Sequence, residues 1–337
     1  MQPETRVGAQ STKFGVSQNI PWFGTLKAEK NVARATVNLQ NYIVDLSTKE
    51  IEFQVKQAYY TIYEQLATTQ VLKDNKLILK TYESMALSAL ENNKATMSDV
   101  LRIRVQKNEL HSKMFQNINS IDMLSGNFNS LLQQGKNTLL FVADSLNVLD
   151  LLQQEVTVKE HPLLQQLQEK KNIYQAQEKL ISKDGKPKLE VGVDYIMVNK
   201  RTDISVSDNG KDIVMPKLSL KIPLFTKKYR SQNQQIKLKQ KQLKQELIAQ
   251  ETNLTIALNT AILEKENAII TVVAAQKNKA ELQQAINVDL KAYETGILNY
   301  DKILRLQLQK IRFELMEIKA TKKAFIAKSK IEYLSSN

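Results

Sequence analysis

The chain has 337 residues, 42% hydrophobic and 6% aromatic, with 9 Gly, 6 Pro, no Cys and a formal net charge of +13. The lack of cysteine excludes disulfides, thiolate catalysis and thiolate metal centres. No apolar run reaches the roughly 18 residues of a transmembrane helix, whereas a membrane-crossing β-strand needs only about 9 to 11 alternating residues. The positive balance admits nucleic acid, an anionic membrane surface or acidic ligands as partners, and so few breakers point to long helices with few turns.

In chain order, the first patterned stretch is FGVSQNI (14–20), where Phe14, Val16 and Ile20 alternate with Gly15, Ser17 and Asn19. That period of two is a strand with one apolar face. After Gly24 the period becomes helical, and no glycine or proline recurs until Gly126. The pattern predicts one helix from Thr25 to about Asn92, on the order of 100 Å long at about 1.5 Å per residue. Such a rod buries its apolar stripe only against other rods, so coiled-coil partners are required. A polar break, ENNKATMSD, makes a tight hairpin to a second helix from about Ser98 to Leu132. The pattern is interrupted around Gly135, with a short helical piece expected near Leu146 to Leu152 and a further helix opening at His161 and Pro162.

Two more alternating stretches follow, KPKLEVGVDYIMV and MPKLSLKIPLF, separated by a polar loop with an Asn209-Gly210 turn. They form a β-hairpin with one greasy and one wet face. From Lys227 another long helix runs to about Thr295, turns at Gly296 and returns from Asp301 to about Tyr333. His111 and His161 stand far apart without a companion at metal-ligand spacing and read as surface histidines. No nucleotide loop or nucleophile elbow occurs, so neither catalysis nor a cofactor or metal is expected. The basic run KLKQKQLKQ (237–245) reads as a solvated helix face.

The chain repeats itself. VSQNIPWFGTL (16–26) lies over LSLKIPLFTKK (218–228), with Pro21 on Pro223 and Phe23 on Phe225. At a similar spacing ENNKATMSDVLRIRVQK (91–107) lies over ETGILNYDKILRLQLQK (294–310), matching Leu101-Arg102 to Leu304-Arg305. One strand, long helix, tip and returning helix unit has been duplicated in tandem, and each copy is expected to hold an equivalent place in a ring-like or barrel-like assembly.

At SQNIPWFGTL, IPLF and the two hairpin tips the sequence resembles the TolC family of outer-membrane efflux proteins, over essentially the whole chain in order. The resemblance implies a mainly α fold with a small β part, in which long antiparallel coiled-coil helices continue a β-barrel shared by a homotrimer in the outer membrane of a gram-negative bacterium and extend into the periplasm. It also implies a passive exit duct, working with a periplasmic adaptor (membrane fusion) protein and an inner-membrane pump of the resistance-nodulation-division class, with no nucleic acid involved. The rival reading is a soluble basic coiled-coil scaffold that binds nucleic acid. The expected organisation is a barrel strand in 1–24, a helical hairpin in 25–135, a linker with short helices in 136–186, a barrel hairpin in 187–226 and a second helical hairpin in 227–337. A family member would have a helix, another strand and a signal peptide before residue 1, so the sequence reads as N-terminally truncated.

Phe14, Val16, Leu189, Val191, Val193, Tyr195, Leu218 and Leu220 are expected to face lipid, and Lys13, Ser17, Glu190, Asp194, Lys217 and Lys221 a wet lumen. Pro21, Trp22, Phe23, Gly24, Pro223 and Phe225 mark the junctions from barrel to helix. By resemblance the tips dock the adaptor through Asn93, Lys94, Tyr293, Gly296, Ile297 and Leu298, with Asn93 in place of the usual glycine because Asn tolerates the left-handed conformation. Asp99, Asp301, Lys302 and Arg305 are expected to gate the tip as a mixed, ion-paired cluster.

Overall fold

The computed structural model describes residues 4–135, 138, 142, 146–148, 151, 157–203, 205, 207–294 and 300–335. Strands β1 (Glu4–Thr5) and β2 (Gly8–Ile20) are followed by helices α1 (Thr25–Glu91), α2 (Met97–Leu131) and α3 (Pro162–Asp184). Then come β3 (Lys188–Asn199), β4 (Ile213–Lys221), α4 (Lys227–Glu294) and α5 (Tyr300–Leu334). The duplication read from the sequence is explicit in the lengths: α1 and α4 have 67 and 68 residues, and α2 and α5 have 35 each. The short helical piece expected near Leu146 to Leu152 falls largely outside the described residues. No helix among the described residues is long and apolar enough to cross a membrane.

The chain forms two units. The first comprises residues 1–44 and 162–250, the second residues 45–161 and 251–337.

Unit 1 contains an antiparallel sheet in the order β1-β2-β3-β4. Its register pairs Val16 with Val193 and Val193 with Pro216, and sets Ile20, Leu189 and Leu220 in one row. The ends of β2 and β4 and the start of β3 therefore lie at the same end of the sheet. Helices α1 and α4 begin there and α3 finishes there.

Unit 2 packs four helical stretches around a core of Leu79, Tyr82, Ala86, Val100, Ile103, Ile286, Tyr300 and Ile303. Cross-helix contacts run in opposite senses along α1 and α5, from Asn75 with Gln307 to Glu64 with Lys322 and Lys56 with Glu332. The amides of Asn75 and Gln307 are each 2% exposed and lie 2.6 Å apart, and Asn75 Nδ2 also donates to Glu314 at 2.7 Å. A buried polar pair between two helices penalises every other register, because sliding strands its donors without acceptors.

The second helix ends at Leu131, next to the expected end at about Leu132, while His161 differs from the sequence reading. The second helix stops because Gln133 takes φ 55°, with its N–H on Ser130 O and that of Gln134 on Asn129 O. This helix-ending turn lies two residues before Gly135, at a non-glycine residue. His161 is 1% exposed, edge-on to Tyr333 at 5.7 Å, so it is a core and not a surface histidine. Burial is the main cause that pushes its pKa down, with the Lys49 charge adding to it. His111 is exposed and lies against Phe115.

Candidate functional site

The sheet has two chemically opposite faces. Because side chains alternate and the β2-β3-β4 register is continuous from Thr12 onward, Phe14, Val16, Val191, Val193, Tyr195, Leu218 and Leu220 all emerge on one face. All are exposed, Val16 at 79% and Leu218 at 73%. An exposed apolar sheet face is costly in water and is stable only when covered. Leu189 shares the face. The expected lipid-facing set thus falls on a single surface.

The opposite face carries the expected polar set as a charge ladder. The Asp194 carboxylate accepts from Lys13 Nζ at 2.6 Å and from Lys217 Nζ, and Glu190 pairs with Lys221 at 2.6 Å. Gly15 makes room for this, since a Cβ there would lie 2.5 Å from Asp194 Oδ1. A concavity of about 330 Å³ on this face is bordered by Lys13, Ser17, Glu190, Asp194, Lys217 and Ser219.

At the junctions the two repeats use the same device with different residues. In the first, Gly24 takes φ +83° and its carbonyl accepts from Ala28 N–H at 3.0 Å, opening α1. In the second, Thr226 accepts from Arg230 N–H at 3.1 Å. Pro21 and Pro223 end the ladders, since neither offers an N–H. Trp22 and Phe23 meet edge-on at 6.0 Å, and Phe23 and Phe225 are each 86% exposed.

The tip of the first hairpin closes as its sequence indicates. Asn93 has φ 52°, its N–H bonds Leu90 O at 3.0 Å, and Lys94 N–H bonds Ala89 O at 2.8 Å. This reciprocal pair is a Schellman end. Asn93 and Lys94 are exposed. Thr96 then caps α2: its hydroxyl accepts from Asp99 N–H, and the Asp99 carboxylate accepts from Thr96 N–H at 3.0 Å. Gly296, Ile297 and Leu298 of the second tip lie outside the described residues.

The four charges read as one gate are divided among different partners. Asp301 accepts from Arg305 one turn on and from Arg102 of α2 at 3.0 Å. Arg305 first, then Arg102, holds the Asp301 carboxyl below its ordinary range. Lys302 pairs with Asp289 of α4 at 3.2 Å, and Asp99 serves as a cap. Arg102 and Asp289 were therefore missed. The repeat alignment of Arg102 with Arg305 was the available signal for the first, while nothing local marks the second.

Three tyrosines of α1, α4 and α5 meet edge to face. Tyr300 is edge-on to Tyr82 and to Tyr293, each at 5.6 Å. The Tyr293 and Tyr300 hydroxyls are buried without a hydrogen-bond partner among the described residues, and burial drives both phenols upward in pKa. On the flank of α1, Glu83 binds Lys107 and, at 2.7 Å, Arg104, and its carboxyl is held below the usual range by Lys107 first and Arg104 second. No group of three or more metal-ligating side chains gathers among the described residues.

No protein-family model and no curated protein sequence matches the chain. Solved structures do. It is similar to the outer membrane protein VceC from Vibrio cholerae, at 12% identity over 96% of this chain and 78% of that one, with a TM-score of 0.78. It is similar to CusC, whose structures concern transmembrane channel formation, at 12% identity over 100% and 81% and a TM-score of 0.84. The open-state MtrE outer membrane channel of Neisseria gonorrhoeae is similar at 11% identity over 97% and 80%, with a TM-score of 0.77.

Proposed function

We propose that this chain, which has the fold of outer-membrane channels and resembles the TolC family in that fold, is a passive exit duct of an efflux system. The observation that carries the reading is the sheet: one continuous, exposed apolar face across three strands, each β-to-α junction opening directly into a helix of 67 or 68 residues. Apolar outside and charged inside is the arrangement a bilayer-embedded barrel requires.

Among the described residues the outer edge of β4 is unpaired, as is that of β2 beyond its two pairs with β1. Hydrocarbon offers no water to satisfy such an edge, so other copies close it, and a homotrimer follows from the resemblance. The apolar set then meets outer-membrane lipid and the Lys13, Asp194, Lys217, Glu190 and Lys221 ladder lines the lumen. The helices carry the wall into the periplasm. Their tips, at Asn93, Lys94 and Tyr293 and in the segment of Gly296, Ile297 and Leu298, meet a periplasmic adaptor coupled to an inner-membrane pump, which supplies the energy. Cargo is a small molecule or metal ion delivered by that pump. At the tip, Asp301 clamps α5 to α2 through Arg102 and braces Arg305, while Lys302 ties α5 to α4 through Asp289. These pairs hold the tip closed until the adaptor engages.

The cysteine-free background makes the test direct. Single Val193→Cys and Ser219→Cys variants are expressed in a gram-negative host and fractionated. In outer-membrane fractions a charged thiol reagent labels Ser219→Cys and spares Val193→Cys, and the purified protein conducts ions in planar bilayers. Recovery of the chain as a soluble species that binds DNA with a steep salt dependence refutes the proposal in favour of a scaffold.

A further inference from the structure

The charge of this chain is not spread evenly. Unit 1 carries 23 Lys and Arg against 11 Asp and Glu, a surplus of 12, which leaves a surplus of one for unit 2 out of the total of +13. An asymmetry of this size between two parts of one chain points to an anionic surface as a partner of the charged part.

Within unit 1 the lysines on the sheet are already engaged, Lys13 and Lys217 with Asp194 and Lys221 with Glu190. Cations outside these pairs include a set at the two junctions. Lys27, Lys30 and Arg34 lie in the first three turns of α1, and Lys227, Lys228 and Arg230 in the first turn of α4. All six are exposed, and none is in an ion pair among the described residues; Lys228 lies over the Tyr229 ring. Neither helix has a carboxylate in its first turn. The macrodipole disfavours cations in a first turn, so Lys27, Lys227, Lys228 and Arg230 stand against a local rule, at a cost an external anion removes. Lys183 joins them from α3, its Nζ 3.9 Å from where a Cβ on Gly24 would stand.

Immediately beside these cations is a band of exposed apolar side chains: Trp22, Phe23, Leu26, Ile222, Leu224 and Phe225. The band and the cations share the end of the sheet at which all three helices meet it. Apolar rings and chains next to unpaired cations form a surface that matches a lipid leaflet, with acyl chains on one side and phosphates on the other. A nucleic acid matches the cations but leaves the apolar band in water.

Resting on the duct reading, we infer that the junction is a lipid-selective collar, which seats the barrel by binding anionic phospholipid headgroups of the leaflet on the helix side. Each cation near an anionic surface raises partitioning by roughly fivefold. The collar therefore acts as a stop that sets how deep the strands sit and as a preference for acidic lipid.

The test uses the full purified chain diluted from detergent onto preformed vesicles of phosphatidylcholine alone, or with 30 mol% phosphatidylglycerol as the chosen probe, followed by flotation. The chain floats with both, better with the acidic vesicles, and 0.5 M NaCl removes the difference. The triple variant Lys227→Gln, Lys228→Gln, Arg230→Gln loses most of the preference yet floats unchanged with neutral vesicles, which also shows that it still folds. A control, Lys73→Gln, Lys80→Gln, Lys277→Gln, removes equal charge from unit 2 and keeps the preference. Equal flotation of the wild type with both vesicles, or full preference in the junction variant, overturns the collar and leaves the duct intact. Flotation with neither vesicle overturns both, and tight DNA binding lost in the junction variant assigns the cations to nucleic acid instead. Displacement by inorganic phosphate beyond that by chloride at matched ionic strength marks a free-anion site and overturns the leaflet assignment.

Discussion

Replacing Val193 with Arg puts a cation at the middle of the proposed lipid face. Strand β3 has 12 residues, and Val193 is its sixth. At about 3.3 Å per residue the strand is roughly 40 Å long, and a tilt near 45° gives a height of about 28 Å, close to the apolar band of about 25 Å in such barrels. Val193 then sits near the midplane, flanked across the ladder by Val16 and Pro216, and the Asp212 carboxylate on this side is already engaged by the Tyr195 hydroxyl and by Val198 N–H. An Arg there costs about 2–4 kcal/mol per copy. Three copies cost about 6–12 kcal/mol, comparable with the whole stability of an ordinary domain. Ser219→Arg is the matched control, since Ser219 lies on the opposite face beside Glu190. Outer-membrane trimers, scored as heat-modifiable bands on unboiled gels, should disappear for Val193→Arg and persist for Ser219→Arg. Equal assembly of the two variants, or the reverse order, refutes the assignment of faces.

Asp301→Asn releases both Arg102 and Arg305 and should raise open probability in planar bilayers at neutral pH. In the wild type the depressed Asp301 pKa keeps the clamp intact above the ordinary carboxylate value of 3.8 and dissolves it only as the pH falls below that, so conductance should rise there and not near pH 6. Asn75→Leu strands the Gln307 amide and weakens the hold on Glu314, costing on the order of 2 kcal/mol. The double variant with Gln307→Leu should recover much of that in thermal unfolding, and no recovery would show that the pair does not act as a unit. For His161 the folded-state pKa lies below the ordinary 6.5, so the unfolded chain binds the proton first. Stability should be full above that value and decline as the pH drops through it, and His161→Phe should flatten this segment of the pH profile of melting temperature.

Residues that respond to their near neighbours were legible in the sequence. Period-two alternation sorted Phe14, Val16 and Val193 from Lys13, Asp194 and Lys217, because a strand sends successive side chains to opposite faces whatever it pairs with. Asn93 was readable as the left-handed residue of the first tip because the cost of that conformation is intrinsic to the residue. The duplicated order was plain in the two aligned segments, and the lengths of α1, α2, α4 and α5 follow it. The end of the second helix near Leu132 was legible too, whereas the left-handed turn at Gln133 was not, since nothing local marks a glutamine for that angle.

Partnership was a matter of tertiary structure. Asp301 meets Arg102, 199 positions away, and Lys302 meets Asp289 only because α5 packs against α2 and α4 in one particular offset. The buried Asn75 and Gln307 pair helps to hold the α1 and α5 register. The burial of His161 follows from chain segments far apart in sequence. Backbone geometry and turn chemistry act over a few residues and can be read along the chain. The choice of ion-pair partner depends on the sliding of one helix past another, a quantity that exists only once the helices have packed.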